Sequence, residues 1–156
     1  MILNLILKTR EAIIMNDNIC IQKLWQDSEL IQLKIVCSSA VITATTKIYV
    51  SDYLIDELIC QINQLLYGQG KESFWANEKR GNHSTACVSL RFLHKDKLGH
   101  ILIEVFMELD DGGDYSSHNC CFYLNTEMGL LERFCKRLPM LKQNSSGAQI
   151  TLNDDV

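Results

Sequence analysis

Apolar and polar residues alternate along "LIQLKIVC" (30–37), with Ile31, Leu33 and Ile35 on one face and Gln32, Lys34 and Val36 on the other. That period of two predicts a strand. "NICIQKLW" (18–25) has the same character, and "QDSE" between the two runs predicts a turn. "AVITATTKIYV" (40–50) adds β-branched residues suited to a pleated surface. The period then changes. In "SDYLIDELICQINQLLYG", Leu54, Leu58, Ile62 and Leu65 form one helical stripe, flanked by Ile55, Ile59 and Leu66. Ser51 or Asp52 is placed to cap this helix and Gly68 to end it.

"GQGKESFWANEKRGNHST" (68–85) reads as a long polar connection holding Phe74 and Trp75. A connection of that length is either functional or folded back onto the core by its aromatic residues. Strands are predicted again at "ACVSLRFLH" (86–94) and "GHILIEVFMEL" (99–109), joined by the charged turn "KDKLG". In the second, Ile101, Ile103, Val105, Met107 and Leu109 point one way and Leu102, Glu104, Phe106 and Glu108 the other, giving one buried and one mixed face. "NCCFYLN" (119–125) makes a further strand. "TEMGLLERFCKRLPML" (126–141) makes a second helix, with Thr126 as cap, Leu130, Leu131, Phe134 and Leu138 as core face and Pro139 as limit. "ITL" (150–152) is an edge strand. The fold class expected is α+β, a largely antiparallel sheet with two main helices, in a single domain over 18–153 preceded by a separate segment, 1–17.

A chain of 156 residues, 47% hydrophobic and 22% charged, can build a core without disulfides or a metal. Its formal net charge of −4 argues against general affinity for nucleic acid, which needs Lys and Arg to displace counterions, and favours a basic protein or cationic ligand. The seven cysteines are odd in number, form no C-x-x-C and lie mostly in apolar runs. Small buried hydrophobes in a cytoplasmic protein account for them. "MILNLILKTREAIIM" opens with an apolar run too short to span a bilayer, without a preceding positive charge or a small-residue cleavage site. Neither a signal peptide nor a membrane partner is expected. Met15 begins "MNDNICIQKLW", which reads as the start of a domain, and the residues before it as an upstream translation start or a loosely attached segment.

Candidate chemistry concentrates in "VFMELDDGGDYSSHNCCFYL" (105–124). As a calcium loop it fails, because Asp110 and Asp111 are adjacent, Gly112 and Gly113 follow, and no closing glutamate is in place. As a zinc site it offers His118 and Cys120, two apart and so on one face of a strand, which His83 and Cys87 complete if their strands are neighbours. The plainer reading makes Cys120 and Cys121 ordinary strand residues on opposite faces. A Cys–His nucleophile pair is open chemically, but no G-x-S-x-G, P-loop or G-x-G-x-x-G accompanies it. The expectation is no enzyme and no cofactor, with a metal-dependent or thiol enzyme using His118 and Cys120 as the alternative. Charge says more. Residues 101–132 hold Glu104, Glu108, Asp110, Asp111, Asp114, Glu127 and Glu132 without a single Lys or Arg. With Tyr115 and Tyr123 nearby, such a surface suits a cationic protein; the plainer reading is a solvated sheet face and a hairpin tip.

The order of strands, one helix, three strands and a closing helix is carried locally by "LIQLKI", "GHILIEVFMELDDGG" and "HNCCFYLNTEMGLLERFCKRL". It resembles small bacterial immunity proteins that neutralise toxins of the polymorphic and contact-dependent inhibition type. The resemblance spans residues 18–142 and leaves out the first fourteen residues and the Trp75 loop. It implies a non-catalytic binder of a cognate toxin domain, many of which are nucleases with basic substrate-binding surfaces. On that resemblance Glu104, Glu108, Asp110, Asp111 and Asp114 are the expected contacts, with Tyr115 and Phe106 as anchors; a helix lying over Phe106 is the competing expectation. A third reading is a homo-oligomeric adaptor, a homodimer joined through an apolar sheet face around Leu102 and Phe106.

Overall fold

The computed structural model describes residues 17–82, 84–109, 118–143 and 145–153. The first three period-two runs become β1 (Asn18–Gln26), β2 (Ile31–Ser38) and β3 (Thr43–Val50), an antiparallel meander. Helix α1 (Asp52–Tyr67) follows. Next come β4 (Glu72–Ala76), β5 (Val88–His94), β6 (His100–Glu108) and β7 (Asn119–Glu127), each pairing antiparallel with the next. Helix α2 (Met128–Arg137) and the single turn α3 (Met140–Gln143) lead to β8 (Gln149–Thr151). The α+β class stands, with the antiparallel strands divided between two four-stranded sheets, ordered β3-β2-β1-β8 and β4-β5-β6-β7. The division falls at α1, which carries the chain away from β3 so that β4 begins a new sheet.

The ends of α1 follow from its sequence. Ser51 Oγ accepts from the Leu54 N–H at 3.3 Å, and the Gly68 N–H donates to the Gln64 carbonyl at 2.9 Å. A Cβ at Gly68 would lie 2.4 Å from that carbonyl oxygen, so the close approach requires glycine. Ile55, Leu58, Ile62 and Leu65 are buried. The connection after α1 holds β4, which the polar composition of 68–85 conceals. Trp75 turns inward and its indole N–H donates to the Leu54 carbonyl at 2.9 Å, while Phe74 turns outward. Thr126 stays within β7, its hydroxyl donating to Asn153 Oδ1 at 2.7 Å, and α2 begins at Met128 without a side-chain cap. Leu131, Phe134, Cys135 and Leu138 make its buried side, with Leu130 half-buried.

Inward residues of both sheets meet α1 in one core. A void of about 20 Å³ is lined by Ile21 and Leu33 of the first sheet, Trp75 and Leu90 of the second, and Leu58 of α1. Cys135 Sγ reaches the Ile59 carbonyl, Tyr67 donates to Glu132, and Lys142 pairs with Asp56 at 2.6 Å, fixing α1 against the C-terminal helices. Cysteines 37, 87 and 135 are buried as small hydrophobes, whereas Cys60 and Cys121 are exposed. Among the described residues no helix is long and apolar enough to cross a membrane.

Candidate functional site

The alternation of β6 places Leu102, Glu104, Phe106 and Glu108 on the face away from the core, and cross-strand register decides what each meets. Phe74, Arg91, Glu104 and Tyr123 are consecutive partners across the four strands. The Arg91 guanidinium lies 5.0 Å from the Phe74 ring centre, 3.4 Å from Glu72 Oε1 and 3.7 Å from Glu104 Oε1. The Tyr123 hydroxyl donates to Glu104 Oε2 at 2.9 Å, which holds the phenol above its ordinary pKa. Glu104 is thus the centre of a ladder in which it shares Arg91 with Glu72, with Phe74 and Tyr123 exposed at its two ends.

Phe106 and Glu108 are placed differently. The Arg80 guanidinium stacks 3.6 Å above the Phe106 ring, leaving that side chain 8% exposed. Glu108 is 2% exposed. Its Oε2 accepts from the Gly81 N–H at 3.0 Å and its Oε1 from the Cys87 N–H at 2.9 Å. The two residues expected as contacts therefore lie beneath the β4–β5 connection, because that connection has backbone donors that a carboxylate satisfies in pairs. What covers Phe106 is Arg80 rather than a helix. Asp110, Asp111, Asp114 and Tyr115 lie outside the described residues.

The residues considered for zinc are separated. Cys120 shares a cross-strand row with Val88 and Met107, which face the core. Cys87, next to Val88, lies beside Glu108, and its Sγ donates to the Glu78 carbonyl at 3.1 Å. Burial, then the Glu108 charge, push the Cys87 thiol up to about 11; burial also raises Cys120. Both thiols are protonated at neutral pH. His118 is exposed, and His83 lies outside the described residues. No group of three or more His, Cys, Asp or Glu side chains is arranged around an ion among the described residues.

A second acidic surface went unread in the sequence. The pairings Gln26↔Ile31 and Ile31↔Val50 bring the β1–β2 turn beside the start of α1. Between them lies a cleft of about 220 Å³ lined by Asp27, Glu29, Ser51, Asp52 and Tyr53. Asp27 Oδ1 accepts from the Leu30 and Glu29 N–H groups, both at 2.8 Å, and these bonds hold its carboxyl below the ordinary range. Trp25 and Leu30 are exposed at the turn and Tyr53, 70% exposed, at the helix start. The signal was available in "WQDSEL" and "SDY", two acidic stretches edged by an aromatic residue, but their proximity depends on register. Comparison with protein-family models, with curated proteins and with solved structures finds no match to this chain.

Proposed function

We propose that this chain is a non-catalytic, immunity-like protein that binds the basic domain of a cognate bacterial toxin, a nuclease, through carboxylates flanked by exposed aromatic side chains. The observation that carries the reading is the cleft at the β1–β2 turn, which Asp27, Glu29, Asp52 and Tyr53 line, with Trp25 and Leu30 exposed in the neighbouring stretch of chain. Large aromatic side chains supply affinity once desolvated, and carboxylates around them accelerate encounter with a cationic partner. Asp110, Asp111, Asp114 and Tyr115 extend the same chemistry in sequence, and Tyr123 beside Glu104 offers a further aromatic contact.

The test is association with the toxin domain encoded by the neighbouring gene, followed by stopped flow at low and high salt. Binding with an association rate that falls steeply with salt is expected. The double substitution Asp27→Lys and Glu29→Lys slows association about tenfold. Because Asp27→Lys also removes the acceptor that closes the turn, Glu29→Lys alone is the control and slows association about threefold at a melting temperature near that of the parent. An unchanged rate removes the cleft from the interface, and the absence of a complex at low salt overturns the reading.

A further inference from the structure

A sheet edge displays unpaired backbone donors and acceptors, and folded chains cover, shorten or interrupt such edges. Among the described residues, two of the four edges here are managed and a third, β7, is covered at one position. Along β4, Gln61 Oε1 of α1 accepts from the Phe74 N–H at 3.4 Å. On β7, Asp17 Oδ2 accepts from the Asn125 N–H at 2.8 Å and the Asn153 amide donates to the Asn125 carbonyl at 3.1 Å. Strand β8 has three residues. Strand β3 has eight, and pairs with β2 without a register shift from Ile31↔Val50 to Ser38↔Thr43. The Ser39 N–H donates to the Ile42 carbonyl at 2.7 Å, so the even-numbered residues of β3 face β2. The backbone groups of Thr43, Thr45, Lys47 and Tyr49 therefore point off the sheet, and all four residues are exposed.

Two further observations describe what this edge would take. Lys34 and Lys47 are directly opposite each other on the outer face of the first sheet. The other described strand positions of that face, among them Gln22, Gln32, Thr45 and Thr151, carry no carboxylate. Like charges in that relation repel, and an anionic side chain beside them relieves the repulsion. On the inner face Thr46 is 3% exposed, and its hydroxyl oxygen has no hydrogen-bond partner. A polar side chain on a neighbouring strand would reach it.

We infer that the open edge of β3 accepts an extended segment of another protein as a ninth strand, with an acidic side chain seated beside Lys47 and Lys34. Backbone pairing supplies the binding and the lysine pair supplies the selection. A second copy of this chain fits less well, because it would bring its own Lys34–Lys47 pair to the same face. This inference stands on a different surface from the acidic cleft and does not depend on it.

The probe is a blocked peptide of about seven residues alternating threonine with glutamate, compared with its lysine counterpart, and the readout is amide exchange by NMR. The glutamate peptide is expected to protect the amides of Thr43, Thr45, Lys47 and Tyr49 and to bind about tenfold more tightly than the lysine peptide. Thr45→Pro deletes an outward N–H and spares the β2 pairing, so it abolishes protection at an unchanged melting temperature. Lys47→Glu, which needs no backbone change, reverses the peptide preference. Unprotected amides at the highest soluble peptide concentration, or equal binding of the two peptides, overturn the inference. So does a free chain that sediments as a dimer with those same amides already protected.

Discussion

Glu108 commits both carboxylate oxygens to backbone N–H groups of Gly81 and Cys87 while remaining almost wholly enclosed. Its removal leaves two donors without an acceptor, so Glu108→Ala is expected to cost about 3 kcal/mol in denaturant melts, and Glu108→Gln, which keeps one oxygen, roughly half of that. The thiols give a pH signature. Burial, with Cys120 and Cys20 nearby, pushes Cys37 up to about 12. A folded-state value above the unfolded one contributes stability that is complete below about pH 9 and is lost as pH rises toward the folded value. Cys37→Ala should flatten the alkaline limb of the stability curve between these limits, at a cost of about 1 kcal/mol for the lost sulfur. The alternation of β6 was legible because it is local. Which of its two outward glutamates would be enclosed was not, since Glu108 is claimed by a connection 27 residues earlier in the chain.

At the scale of elements, capping and turn carboxylates hold the ends. Ser51→Ala removes the acceptor for the Leu54 N–H and should destabilise the chain by about 1 kcal/mol, read as a shift in the urea midpoint with an unchanged slope. Asp96 takes the His100 ring as partner and accepts from the Leu98 and His100 N–H groups, which hold its carboxyl below its ordinary value. A lowered folded value means stability present above about pH 4 and lost as pH falls through the folded value. Asp96→Asn should therefore shallow the fall in melting temperature as pH drops below about 4. Most strands, α1 and both its caps were readable from period and cap chemistry. Strand β4 was not, because "ESFWA" is short, lies between glycines and polar residues, and offers a single inward aromatic, Trp75, as its apolar signal. The Thr126 cap failed for a related reason: its hydroxyl has a better partner in Asn153, which local sequence cannot reveal.

At the scale of the molecule, β8 closes the first sheet by pairing with β1 after the chain has built the whole of the second. Ile150 and Leu152 are both buried there. Their burial contributes about 4–6 kcal/mol, which rivals the total stability of an ordinary domain, so deleting residues 149–153 should abolish the cooperative thermal transition seen by circular dichroism. The return of β8 to β1 was the least legible feature, since periodicity marks a strand without naming its neighbour. It also has a bearing on biosynthesis. While the ribosome is still translating α2, one side of β1 has no strand to pair with, and Ile21 and Ile19 lack their partners Ile150 and Leu152. The nascent chain is then most vulnerable to sticking to its neighbours, and slowing translation near residue 140 should raise the insoluble fraction.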